Sequence, residues 1–157
     1  MARIKGRIIP ATQKHIDALK GNLRESDKRE IWDAARMEPD EGLQHAFDIS
    51  KLCWAGVSEG QTILCFGVSA FSLLSTKGSP WILAAEDIKN VNREFIRNCK
   101  LCVKTMLSFF DRLENMVDIR NEVSIRWLKW CGFSIGDKFR YGPNNLLFYK
   151  FSMDKEE

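Results

Sequence analysis

Glu86, which follows the apolar run "PWILAA", is the residue whose type and place most invite chemistry. A carboxylate at the end of a buried strand can act as a general base if a proton comes within hydrogen-bond reach. Its plainer reading is a solvated acid beside the next helix's N-terminus. Cys99 and Cys102 spell C-x-x-C, the spacing of a redox pair or half a zinc site, but no second pair or nearby histidine completes one. They read as helix core. His15 and His45 each stand without a partner at metal-ligand spacing, so no metal is expected. Arg93, Arg97, Lys100 and Lys104 form a basic row, suited to phosphate or simply to solvent. The stretch "RNEVSIRWLKWCGF", Arg120 to Phe133, reads as a helix capped by Asn121 and ended by Gly132, with Trp127 and Trp130 near one face. Those tryptophans fit core packing or an interface anchor.

The elements that must position these residues follow from patterning. "RIKGRII" alternates as a half-buried strand until Pro10, and Thr12 caps a helix carrying Ile16, Leu19 and Leu23. A second helix, Glu25 to Arg36, is expected to be capped at Ser26 or Asp27, and a third spans Asp40 to Ser50. "KLCWAGVS" and "QTILCFGVSAFSL" form a hairpin about Ser58-Glu59-Gly60. "SPWILAAE", Ser79 to Glu86, is the candidate central strand, with its proline near the strand's start.

Apolar Phe95, Cys99, Cys102, Val103, Met106 and Phe110 recur at helical spacing and predict the longest helix, Asn90 to about Leu113. "MVDIR" is a short strand, Ser124 to Trp130 a helix, and "FSIGDKFRY" and "NLLFYKFS" two strands joined through Gly142-Pro143-Asn144. Residues 1–153 are expected to form one α+β domain: a mixed, mostly antiparallel sheet of about seven strands flanked by helices. Residues 154–157 read as a frayed acidic tail.

Composition bounds the partners. With 29% charged and 45% hydrophobic residues the chain lies far from the profile of disorder. A net charge of +3 is too small to mark a nucleic-acid footprint, and none is expected. The longest mostly apolar run, Ile63 to Leu74, is too short to span a bilayer, and the N-terminal ten residues lack a signal-peptide core. Five scattered cysteines point to a reducing compartment.

The order strand, two helices, three strands, long helix, strand, helix, two strands resembles the GNAT N-acetyltransferase fold. "RNEVSIRWLKWCGF" is similar to that family's last motif, with Asn121, Ser124, Gly132 and Phe133 at its characteristic places. "NLRESDKREIWDA", "LCFGVSAF", "PWILAAEDI" and "VDIRNEVSIRWLKWCGF" together look like a GNAT-like phage family, that of the internal virion or core protein A of short-tailed phages. The resemblance implies virion assembly through contacts with phage structural or core proteins, in the host cytoplasm, with the virion as a further destination.

Two departures from the enzyme pattern suggest a degenerate acetyl-CoA site. The family's glycine-bearing pyrophosphate loop is replaced by "EDIKNVNREFIRNC", which has no glycine to let backbone approach the phosphates. Leu128 stands where many relatives carry a proton-donating tyrosine. The expectation therefore leans away from catalysis, and no cofactor is established. The alternative is an acetyl-CoA-dependent N-acetyltransferase with an atypical loop, in which Asn121, Lys89, Asn92 and Arg93 hold CoA. That alternative requires a V-shaped gap beside the strand Trp81 to Glu86.

Overall fold

The computed structural model describes residues 5–91 and 93–156. The strands are β1 (Arg7–Pro10), β2 (Ser50–Ser58), β3 (Gln61–Ala70), β4 (Lys77–Ala84), β5 (Arg112–Asp118), β6 (Ser134–Tyr141) and β7 (Leu146–Asp154). They form one sheet in the order β1-β2-β3-β4-β5-β7-β6, antiparallel throughout except for the parallel β4–β5 pair. The expected α+β architecture is therefore present. A parallel pair needs a crossover, supplied here by α4 (Arg93–Phe109).

Helices cover both faces. On one lie α4 and α5 (Glu122–Cys131), whose buried Phe95, Cys99, Val103, Met106 and Trp127 pack against Phe66, Val68 and Leu113. On the other, α1 (Gln13–Leu19) and α3 (Pro39–Ile49) enclose Ile16, Leu19, Leu43, Ala55 and Cys65. Between α1 and α3 in sequence runs α2 (Glu25–Ala35). The alternation of β4 divides its side chains between the faces: Ile82 joins the α4–α5 core, Trp81 and Leu83 the α1–α3 core.

Several boundaries differ from the sequence reading. β4 begins at Lys77 and ends at Ala84, so Pro80 sits within the strand and Glu86 falls in a following 3-10 turn, Glu86–Asn90. α2 starts at Glu25 after Arg24 and has no side-chain cap; Asp27, expected there as a cap, is buried and bonded elsewhere. α4 ends at Phe109 because β5 already starts at Arg112. Asp154, assigned to the tail, closes β7, and its carboxylate accepts Arg112 at 2.7 Å. His15 completes a capping box with Thr12. The five cysteines are free thiols. Among the described residues no helix is long and apolar enough to cross a membrane, and no His/Cys/Asp/Glu group could hold a metal.

Candidate active site at the opening between β4 and β5

β4 and β5 pair only at Lys77 with Arg112 and Gly78 with Leu113. Past that point the ladder ceases and the strands part. Pro80 has no N–H to offer across the gap, and its carbonyl accepts Asn115 Nδ2 at 2.8 Å instead of a β5 amide. Ala84 turns both backbone groups away from β3: its amide donates to Asp27 Oδ2 at 2.9 Å and its carbonyl accepts the Arg24 amide at 2.9 Å. Antiparallel pairing alternates inward and outward residues, so Ile82, two before Ala84, directs its own N–H and C=O into the opening.

A cavity of about 350 Å³ occupies this opening. It is lined from both faces of the sheet, by Ile31, Ala34, Trp81 and Leu83 on one and by Val103, Met106, Trp127 and Leu128 on the other. The gap required by the enzymatic alternative is thus open.

Two linked acid clusters border the cavity. In the first, Arg24 and Asp27 are each about 97% removed from solvent and form a bidentate pair, Nε to Oδ2 at 2.7 Å and Nη2 to Oδ1 at 3.0 Å. Arg24 also donates to the Ser124 hydroxyl on α5. Burial pushes the Asp27 carboxyl up despite its arginine. The second centres on Glu30, one turn along α2. Its Oε1 accepts the Asp118 amide at 3.2 Å and its Oε2 accepts Asn121 Nδ2 at 3.0 Å. Burial pushes Glu30 up to about 7, against the Asn121 hydrogen bond and reinforced by the Asp27 and Asp118 charges. Burial also opposes ionisation of Asp118, but hydrogen bonds from Arg120 outweigh it and hold the pKa below the usual carboxylate range. Arg120 bridges Asp118 at 2.6 Å and Asp33 at 3.1 Å. Among the described residues no lysine or arginine forms an ion pair with Glu30, and burial pushes its carboxyl up to about 7, in the range that suits a general base.

A second cavity, of about 550 Å³, lies between the start of α4 and α5, lined by Ile88, Lys89, Arg93, Arg126, Trp127 and Trp130 among others. Trp127 borders both cavities. Three cations, Lys89, Arg93 and Arg126, line it, and the Arg93 guanidinium rests 5.8 Å from the Trp130 ring centroid. The 3-10 turn Glu86–Asn90 stands where the acetyltransferase pattern places its glycine loop, and it contains no glycine.

The sequence-named residues are distributed unevenly. Lys89 and Arg93 meet at this second cavity. Asn92 lies outside the described residues. Asn121 is 3% exposed and caps α5, its oxygen accepting the Ser124 amide at 3.4 Å while its amide group holds Glu30. Glu86 is exposed, as its plainer reading expects, but the helix start it meets is that of α2 and not of the next helix: its Oε1 accepts the Glu25 amide at 3.3 Å. The tryptophans divide: Trp127 is buried edge-on against Phe66, whereas Trp130 is 56% exposed. Arg97, Lys100 and Lys104 face solvent.

Glu30 escapes a sequence reading, although a signal exists. Asp27 and Glu30 lie one turn before the partly buried Ile31 and Ala34, extending that apolar stripe of α2 backward.

The sheet order, the single parallel pair and its splayed end define the fold of the GNAT acetyltransferases. A GNAT-family acetyltransferase from Streptococcus pneumoniae superposes with TM-score 0.66 at 13% identity, covering 97% of this chain and 100% of that one. A ribosomal-protein-alanine N-acetyltransferase from Brucella melitensis gives 0.66 at 13%, covering 94% and 99%. A spermidine N-acetyltransferase from Vibrio cholerae, solved with CoA and spermine, gives 0.62 at 9%, covering 96% and 95%. No protein-family model and no curated protein matches the chain. These comparisons lend no support to the phage virion-protein resemblance.

Proposed function

We propose that the protein is an acyl-CoA-dependent N-acetyltransferase with Glu30 as its general base. The observation that carries this reading is the opening between β4 and β5, which places a carboxylate titrating near neutrality beside an unclosed strand edge. The pantetheine arm of acetyl-CoA is an extended chain with two amides, so it can add to the Ile82 edge as a strand would, while Lys89, Arg93 and Arg126 meet its phosphates. The acceptor's nitrogen attacks the thioester carbonyl, the C–N bond forms, the C–S bond breaks, and CoA departs as its thiol. The proton shed by the nitrogen passes to Glu30, which Asn121 and the Asp118 amide hold in place. Leu128 supplies no proton to the sulfur. Ser124, one turn earlier on the same face of α5, lines the cavity with its hydroxyl accepting from Arg24; a proton that it gave to the thiolate would be replaced from solvent, to which Glu30 returns the proton taken from the amine.

Release of free thiol from acetyl-CoA in the presence of a panel of amines tests the proposal. Glu30→Gln should lower the rate by about 100-fold or more. Equal rates for the two proteins would overturn Glu30's role, and failure to bind acetyl-CoA would overturn the reading itself.

A second reading, a phage assembly factor acting in the host cytoplasm through protein contacts, draws support from the β3–β4 loop. There Leu73 and Leu74 are 99% and 93% exposed and Phe71 is 50% exposed. Charged substitutions at Leu73 and Leu74 would abolish an assembly role and leave acetyl transfer intact.

A further inference from the structure

We infer that the acceptor is a monoamine with an apolar aryl or alkyl body, taken up in the part of the β4–β5 cavity walled by α2 and α3. This inference rests on the acetyltransferase reading. Ile31, Ala34, Met37, Ala46, Trp81 and Leu83 supply apolar surface, and the exposed Ala35 and His45 mark the way out to solvent. α3 presses tightly on α2 at Gly42, where an added Cβ would stand 2.7 Å from Ile31 Cγ2. Ala34 and Ala46, small residues on the same two helices, keep the space open beside that contact.

Charge excludes the competing acceptors. Asp27 has both oxygens engaged by Arg24, and Asp33 and Asp118 share Arg120. Glu30 can receive one amine, and no unpaired acid among the described lining residues is left for a second ammonium. A polyamine would therefore bury a cation without a counter-charge. A free amino acid fares no better, because its carboxylate would need a cation, and no lysine or arginine is among the described residues that line the cavity. An apolar body meets neither penalty. At roughly 30 Å³ per non-hydrogen atom, the volume share of a liquid water, the cavity of about 350 Å³ holds a group the size of phenethylamine together with the transferred acetyl, and is too small for a larger aryl amine such as tryptamine.

The test has two arms. In the first, phenethylamine, spermidine and alanine are titrated by calorimetry into the wild-type chain without acetyl-CoA. In the second, the same amines compete for acetyl-CoA turnover, read as thiol release. The expected result is a preference for phenethylamine of about tenfold or more in both arms. Ala34→Phe, which fills the walled space, should remove that binding while its unfolding transition stays cooperative, and Ala46→Phe serves if the first variant fails to fold. Turnover that favours spermidine or alanine would overturn the inference and leave the acetyltransferase reading standing. An absence of acetyl-CoA binding would overturn that reading, and the calorimetric arm would still decide the pocket. No heat from phenethylamine at millimolar concentration, or heat unchanged in the filled variants, would overturn the inference.

Discussion

Replacing Glu30 with glutamine should stabilise this protein at alkaline pH while slowing the proposed acetyl transfer. The folded chain holds the Glu30 proton up to about pH 7, whereas the unfolded chain releases it near 4.5. Between those values the folded state binds more protons, so stability falls as pH rises through the window and the loss is complete above about 7. At about 1.4 kcal/mol per pKa unit, the difference sets an upper bound of about 3 kcal/mol. Water reaching the half-buried side chain through the cavity trims this toward about 2 kcal/mol.

Glutamine carries no charge, so Glu30→Gln escapes this penalty. It retains one oxygen for two donors, the Asp118 amide and Asn121 Nδ2, and one mismatched hydrogen bond costs about 1 kcal/mol. Below pH 4.5 the protonated acid has nearly the same defect, and the two proteins should differ by less than about 1 kcal/mol. Above neutrality the variant should lead by about 1 to 2 kcal/mol. Urea unfolding of both proteins across the pH range measures the difference directly. Parallel stability curves, or a wild type that gains on the variant as pH rises, would refute a Glu30 buried without a cation.

The same carboxylate sets one step of the rate profile: kcat/KM should show an inflection near 7 that Glu30→Gln removes, with a further rise as the amine itself loses its proton, read by thiol release in mixed buffers. Arg24→Ala leaves Asp27 buried and unpaired, and should cost roughly 3 to 5 kcal/mol in chemical denaturation. Gly142 adopts φ +84 where β6 turns into β7, and an added Cβ would strike the Asp33 carbonyl oxygen, so Gly142→Ala should lose about 3 kcal/mol by the same measurement. Reversing charge at Arg93 or Arg126 should weaken acetyl-CoA binding about tenfold each, with the wild-type affinity falling as salt is added.

Much of the fold was legible because its signals are local. The recurrence of Phe95, Cys99, Val103, Met106 and Phe110 marked the face α4 buries, and Asn121 and Gly132 marked the two ends of α5, where one caps by side chain and the other adopts φ +100. Lys89 and Arg93 were named and do share a cavity. The rest was hidden where distant strands decide the outcome. Pro80 looked like a strand's beginning because an internal proline normally breaks a ladder, but here its missing donor points to a side with no ladder to break. Glu30 looked like one more solvated helix carboxylate. Its enclosure depends on β5 parting from β4, and on Asn121 lying 91 residues away in sequence, so no window on α2 alone reveals it.

Pro80 has a further consequence. An opening within a sheet is an unpaired edge, and such edges tend either to anneal with their neighbour or to recruit a strand from another chain. With no N–H at residue 80, and with its carbonyl already engaged by Asn115, β4 cannot zip onto β5 beyond Gly78 without leaving a rung unmade. At the far end, the Arg24 and Asp27 bonds to Ala84 shut the edge again. Only a short interval around Ile82 stays exposed, long enough for a ligand with two amides and too short to template a foreign strand. Pro80 thus keeps β4 from closing onto β5 while leaving only a short length of edge for a foreign strand to pair with.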